Sequence, residues 1–81
     1  MGKHEKLVKR IFEGASDITL NEAINILTKL DFKSTVTGGS HRTFRKLNRQ
    51  SITIVLTQNP IKPYLVEKLQ DILRQEGYYN E

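Results

Sequence analysis

The 81-residue sequence contains no cysteine and only two prolines. Without cysteine, neither a disulfide framework nor a thiolate metal site can form. No apolar run approaches the roughly 18 residues that a membrane-spanning helix needs. The opening MGKHEKLVKR lacks the apolar segment of a signal peptide, and Lys6 stands where an N-myristoylation motif has Ser or Thr. We therefore expect a cytoplasmic protein that does not bind membranes.

Carboxylates are also missing from the middle of the chain. No Asp or Glu occurs between Phe32 and Val66, whereas the whole chain carries nine. Nucleases that use Mg²⁺ hold it with carboxylates, and a lone histidine is too few ligands for zinc, so we expect neither a metal nor another cofactor. A block of one charge sign attracts polyanions. The cations between residues 32 and 62 are Lys33, Arg42, Arg45, Lys46, Arg49 and Lys62.

The length allows one small domain, near the lower limit for a single apolar core. With 37% apolar residues, we expect two thin layers without a deep cavity, so a substrate should lie on the surface. We treat the whole chain, residues 1–81, as one domain, with residues 1–16 as a helical extension packed on a core of residues 17–78.

Three segments have the periodicity of amphipathic helices. KHEKLVKRIFEG predicts a short helix over about residues 3–13. Thr19 and Glu22 have capping-box spacing and predict a helix over about 20–30. The two prolines of NPIKP suit a helix entrance and predict a helix over about 63–76. The tail YYNE is expected to fray, with one tyrosine packed back on the domain.

Three segments alternate as strands do: FKSTVT, HRTFRK and SITIVL. Tight turns join them at Gly38-Gly39 and at LNRQ. In the second strand, Phe44 should face the core, and His41, Thr43 and Arg45 the opposite side. The order predicts an α+β domain. Two helices cover one face of a three-stranded antiparallel meander, as in double-stranded-RNA-binding domains, and an extra short helix precedes them.

The stretch TGGSHRTFRK carries the chemistry. Two glycines let a polymer backbone approach His41, and the neighbouring arginines suit phosphates. Without metal ligands nearby, the simplest reaction is RNA cleavage in which the 2′-hydroxyl attacks and an imidazole, with an unperturbed pKa of ~6.5, moves protons. Arginines would stabilise the phosphate charge. DNA lacks this nucleophile, so RNA is the expected substrate.

Other polar residues add little to this scheme. A second acid or base is not identified by the pattern; Tyr64, a lysine or a water are open alternatives, and a slow enzyme is expected. Ser40 is interpreted as a turn residue, because no Ser-His-Asp set can be assembled. His4 is interpreted as a solvated residue of the first helix.

The run Gly39-Ser40-His41-x-x-Phe44, the amphipathic helix before it and the final KPYLVEKLQDILRQEGY resemble HicA toxins of bacterial and archaeal toxin–antitoxin systems. The resemblance covers about residues 17–78. It implies a double-stranded-RNA-binding-domain fold and an mRNA-cleaving endoribonuclease (an mRNA interferase). One departure is that LTQNPIKP lacks the histidine many members carry after the third strand.

The resemblance also implies residue roles and a partner. His41 corresponds to the histidine required for activity. The implied partner is a HicB-like antitoxin, for which we expect an acidic contact surface; alone, the chain is expected to be a monomer. The expected RNA-binding residues are Gly38, Gly39, Ser40, Arg42, Arg45, Lys46 and Lys62.

Two other functions fit the same residues. A non-catalytic RNA-binding module would use the basic block with strongly salt-dependent affinity and would not depend on His41. A protein-interaction domain would present the basic block to an acidic partner without RNA. Binding of single-stranded RNA at low salt separates the last function from the other two.

Overall fold

A computed structural model describes residues 2–36 and 38–78 of the chain. The predicted order of helices and strands is confirmed, and each predicted helix agrees with the observed one to within a residue at its ends. None of the helices in the described ranges is long and apolar enough to cross a membrane. The elements are α1 (Lys3–Phe12), α2 (Leu20–Lys29), β1 (Lys33–Val36), β2 (His41–Arg45), β3 (Ile52–Val55) and α3 (Pro63–Gln75).

Local capping explains where α2 and α3 begin. Glu22 N donates to Thr19 Oγ1 at 3.1 Å, and Thr19 N donates to Glu22 Oε1 at 3.0 Å. This reciprocal capping box satisfies two backbone donors that the helix leaves free. Helix α3 starts with Pro63, whose missing N–H is no loss in the first turn.

The three strands form an antiparallel sheet in the order β1-β2-β3. Phe44 pairs with Ile52 across the sheet, and Arg42 pairs with Ile54. The side chains of Phe44, Ile52 and Ile54 are buried in one cluster with apolar residues of all three helices. The helices therefore cover one face of the sheet, and the other face is open.

Helix α1 contributes directly to this core. Ile11 is fully buried, Val8 and Phe12 are 8% exposed, and Gln70 Nε2 of α3 donates to the Ile11 carbonyl oxygen at 2.8 Å. Burying a side chain such as Ile11 stabilises a fold by about 1.5–3 kcal/mol. Residues 1–16 were expected to pack on the domain as a helical extension, and the apolar face of α1 is continuous with the main core.

The sheet edge and the C-terminal tail complete the outline. All four β1 residues are exposed, and Val36, although it shares the parity of Phe32, is 58% exposed because it lies at the end of an edge strand. Tyr78 packs against the core, as expected of one tyrosine in the tail. The expected fraying concerns residues 79–81, which lie outside the described residues.

Candidate functional site

His41 is exposed at the first position of β2, directly after the glycine turn. Its backbone N–H donates to the Gly38 carbonyl oxygen at 3.0 Å and closes the turn. Gly38 has a φ of +63°, a conformation that favours glycine. A Cβ added at Gly38 or Gly39 would meet nothing within 4 Å. The approach to the turn beside the imidazole is therefore open.

The strand register places His41 on a surface that we call the open face. It is the side of the sheet opposite Phe44, Ile52 and Ile54. Thr43 lies at its centre and is only 6% exposed because both flanking strands surround it. The Thr43 and Thr53 hydroxyls are hydrogen bonded at 3.0 Å. The described residues of the open face are Lys33, Thr35, His41, Thr43, Arg45, Thr53 and Val55.

Arg45 lies at the end of the open face away from His41, and Lys33 lies directly opposite it on β1. Both side chains are exposed. Lys33 was not among the expected RNA-binding residues. It was detectable in principle, because a hairpin centred on Gly39 pairs position 33 with position 45. Antiparallel pairing therefore joins two cations that are 12 residues apart in the sequence.

Arg42 has a different environment from Arg45. It shares the parity of Phe44, and its guanidinium carbon lies 5.9 Å from the centre of the Phe44 ring. Its Nε is buried without a hydrogen-bond partner among the described residues. The side chain therefore lies on the helix-covered side of the sheet, away from the His41 side.

Lys46 and Arg49 are engaged by a carboxylate that the local sequence does not reveal. Lys46 Nζ lies 2.7 Å and Arg49 Nε 2.9 Å from the same Oε2 atom of Glu76, just after α3. The hydrogen bond from Lys46, and then that from Arg49, hold the pKa of Glu76 below its ordinary value. We call these three residues the Glu76 cluster. One carboxylate thus engages two cations of the basic block, and the Glu76 cluster keeps a net charge of +1.

Lys62 is exposed at the start of α3, on the wall of an open groove of about 650 Å³. The groove also includes Thr57 and Gln58, which follow β3. Leu56 N donates to the Ser40 carbonyl oxygen at 2.7 Å, so this end of the groove adjoins the glycine turn. Lys62 thus lies at the His41 end of the sheet, whereas Arg45 lies at the other end.

His4 and Tyr64 are the remaining polar candidates. His4, expected to be solvated, is half-buried, with its Nε2 hydrogen bonded to the Tyr78 hydroxyl at 3.1 Å. Tyr64 is 52% exposed in the first turn of α3. Within residues 2–36 and 38–78, no group of three or more His, Asp or Glu side chains is arranged to hold a metal ion.

No family model, curated protein or solved structure gave a significant match to this chain. A function for the chain must therefore be argued from its own residues. The arrangement offers an exposed imidazole, an open glycine turn and a pair of cations on one face of a sheet.

Proposed function

We propose that the chain is the toxin of a toxin–antitoxin system, a HicA-type endoribonuclease that cleaves mRNA in the cytoplasm without a metal ion. The α+β architecture is compatible with a double-stranded-RNA-binding-domain-like fold, which we propose as its fold class. The observation that supports the proposal best is the exposed His41 on an open face whose described residues include two cations and no carboxylate.

In the proposed reaction, His41 accepts the proton of an RNA 2′-hydroxyl as that oxygen attacks the adjacent phosphorus. The bond between phosphorus and the 5′-oxygen breaks, and the leaving oxygen takes a proton from water or from a second acid. The products are a 2′,3′-cyclic phosphate and a 5′-hydroxyl. A neutral imidazole is suited to accept this proton near neutral pH.

The residues around His41 would serve access and charge. Gly38, Gly39 and Ser40 leave the turn without bulky side chains, so that a phosphodiester can come close to the imidazole. Lys62, on the adjoining groove, would contact a phosphate of the strand as it leaves the site.

Arg42 and Lys46 remain predicted phosphate contacts, but each has an internal contact to exchange first. Arg42 lies against Phe44, and Lys46 is paired with Glu76. Their contribution to RNA binding should therefore be smaller than that of Arg45.

The open face also suits a protein inhibitor. We propose that a HicB-like antitoxin covers it with acidic side chains, because such a partner would neutralise the cations and block His41 together. Charge complementarity of this kind mainly accelerates association and makes it salt-dependent.

The decisive experiment is His41→Ala. The variant should lose cleavage of a mixed mRNA substrate by about a hundredfold or more, which is the usual contribution of one proton-transfer residue. Its thermal unfolding and its affinity for RNA should stay close to those of the unchanged protein, because His41 is exposed.

His4→Ala is the matched control, since it removes the other histidine and should leave cleavage unchanged. Cleavage that persists in His41→Ala would reject the proposed role, and inhibition by EDTA would reject the metal-free route. If the unchanged protein binds RNA with steep salt dependence but gives no 2′,3′-cyclic product, it is a non-catalytic binding module.

A further inference from the structure

Lys33 and Arg45 form an unusual pair. They are directly opposite each other in neighbouring antiparallel strands, and both side chains project from the open face. Residues in such positions have Cβ atoms about 4.5–5.5 Å apart, and like charges there destabilise a sheet. The pair is therefore unfavourable in the free protein unless something neutralises it.

No carboxylate among the described residues lies within ion-pair distance of Lys33 or Arg45; the ion pairs of the described chain involve Arg10, Lys46, Arg49 and Arg74. In the Glu76 cluster, by contrast, a carboxylate of the same chain contacts the cations Lys46 and Arg49. Lys33 and Arg45 lack an equivalent partner in the described structure. An anion bound between Lys33 and Arg45 would attract both cations and so offset the repulsion between them.

The distance from this pair to His41 limits what that anion can be. His41 and Arg45 are four residues apart in β2, or about 14 Å along an extended strand. Because side chains stand out from a sheet and not along it, we expect two different phosphates at the two ends of this backbone distance. A stacked nucleic-acid strand advances about 3.4 Å per nucleotide, so the distance corresponds to about four stacked nucleotides. A fully extended strand advances roughly twice as far per nucleotide and needs about two.

The surface between the two ends suits a nucleic-acid backbone better than its bases. Thr35 and Thr53 expose hydroxyl-bearing side chains there, Thr43 between them is only 6% exposed, and Val55 adds one apolar side chain opposite His41. Aside from the His41 imidazole, no aromatic side chain occurs among the described residues of this face. Binding of single strands through their bases relies on aromatic stacking. The open face instead offers hydrogen bonds and charge.

We infer that Lys33 and Arg45 form a second phosphate site, which holds the RNA backbone two to four nucleotides from the linkage cleaved at His41. This inference depends on the proposed ribonuclease function and specifies its substrate: a strand long enough to span both sites. Neutralising one phosphate at that distance removes the contact, and so does the double variant Lys33→Gln/Arg45→Gln.

The test uses an RNA in which the preferred cleavage site has first been mapped. Synthetic oligonucleotides centred on that site carry a single methylphosphonate at successive positions on either side. For the unchanged protein, one position two to four nucleotides away should lower kcat/KM by about tenfold, as loss of one charge-assisted contact does. For Lys33→Gln/Arg45→Gln, the unmodified RNA should show that loss, and the methylphosphonate should add nothing further.

Lys29→Gln is the matched control, because it removes an exposed cation of α2 that is outside the predicted RNA-binding residues. In this control variant, the same methylphosphonate position in the RNA should still lower kcat/KM. A methylphosphonate scan without a second sensitive position, or one that Lys33→Gln/Arg45→Gln leaves unchanged, would overturn the inference while cleavage itself stands. Absence of any cleavage by the unchanged protein would instead reject the proposed function.

A second measurement needs no RNA. If Lys33 and Arg45 repel each other, Arg45→Gln should raise the urea midpoint at low salt, and the gain should disappear at about 1 M salt, where the screening length is roughly 3 Å. Lys46→Gln should lower the midpoint, since it breaks an ion pair. A lower midpoint for Arg45→Gln at low salt would also overturn the inference.

Discussion

Arg45 and Lys46 are neighbours in the sequence with opposite environments. Arg45 projects from the open face, where the cation opposite it is Lys33. Lys46 contacts Glu76 at 2.7 Å. Strand alternation sends adjacent residues to opposite sides of a sheet, and the end of α3 lies on only one of them. The number of cations in a segment therefore overstates the charge that a polyanion can reach.

Arg42 extends the comparison to a third environment. It lies over the Phe44 ring, and its Nε is buried without a partner among the described residues. Arginine and lysine side chains can cover apolar surface with their stems, and here that contact would compete with the proposed phosphate binding. The described chain thus contains exposed, paired and partly buried cations within five successive residues.

Glu76→Gln should change the difference between Arg45 and Lys46 most, because it leaves Lys46 and Arg49 without their carboxylate partner. Because the Glu76 side chain is 13% exposed and contacts both, the loss should be about 1–2 kcal/mol of unfolding free energy. Urea denaturation measures it. The proposed RNA binding should also become tighter and more salt-dependent, because Lys46 and Arg49 lose their carboxylate partner.

Asp71→Asn is the control for that variant. Its ion pair with Arg74 is more than half exposed, so the loss should stay within about 0.5 kcal/mol. Equal losses for the two variants would show that Lys46 is no more engaged than a surface cation, and the distinction from Arg45 would fail.

A change of pH should alter the free energy of unfolding by a smaller amount. The Glu76 cluster lowers the pKa of Glu76 in the folded protein from an ordinary 4.5. The unfolded chain therefore binds this proton more readily. The resulting stability is present above about pH 4.5 and is lost as the pH falls through the lowered pKa. Urea midpoints at about pH 6 and about pH 3 should thus differ less in Glu76→Gln than in the unchanged protein.

Part of the acid sensitivity should survive in that variant. The Thr19 backbone N–H, and then Arg10, also lower the pKa of Glu22. A variant with the same pH dependence as the unchanged protein would show that the Glu76 cluster contributes no stability.

The smallest expected effect on stability concerns the Thr43–Thr53 hydrogen bond at the centre of the open face. Thr43 and Thr53 share a hydrogen bond at 3.0 Å. A double-mutant cycle with Thr43→Val and Thr53→Val should give a coupling of about 0.5 kcal/mol, typical of a cross-strand pair. Salt should not change it, in contrast to the Lys33–Arg45 pair. A coupling of zero would mean that the two hydroxyls prefer water.

Much of the fold follows from local patterns. Thr19 and Glu22 mark the start of α2 because both partners of a capping box lie within one helical turn. The period of two in β2 separates Phe44 from His41, so the exposure of the histidine was predictable. These signals need no knowledge of distant residues.

The features that local patterns miss are long-range contacts. Lys46 and Glu76 are 30 residues apart, and no periodicity relates them. The amphipathic pattern of α1 predicts a buried face, but it does not reveal that Ile11 contacts α3 through Gln70. Arg42 was expected beside the histidine because it follows it in the sequence, although the period of two in β2 already places it with Phe44 on the other side of the sheet. To predict which cations a polyanion can reach, one needs both the strand register and the positions of the nearby carboxylates.

The contact between His4 and Tyr78 brings residues near both ends of the chain together. A short linker that joins the chain near residue 4 to the chain near residue 78 would therefore give a circular permutant, with new termini opened at Leu47, which is 86% exposed in the turn between β2 and β3. Lys46 and Arg49 would then belong to opposite ends of the permuted polypeptide. Glu76, which contacts both, would hold the cut turn closed.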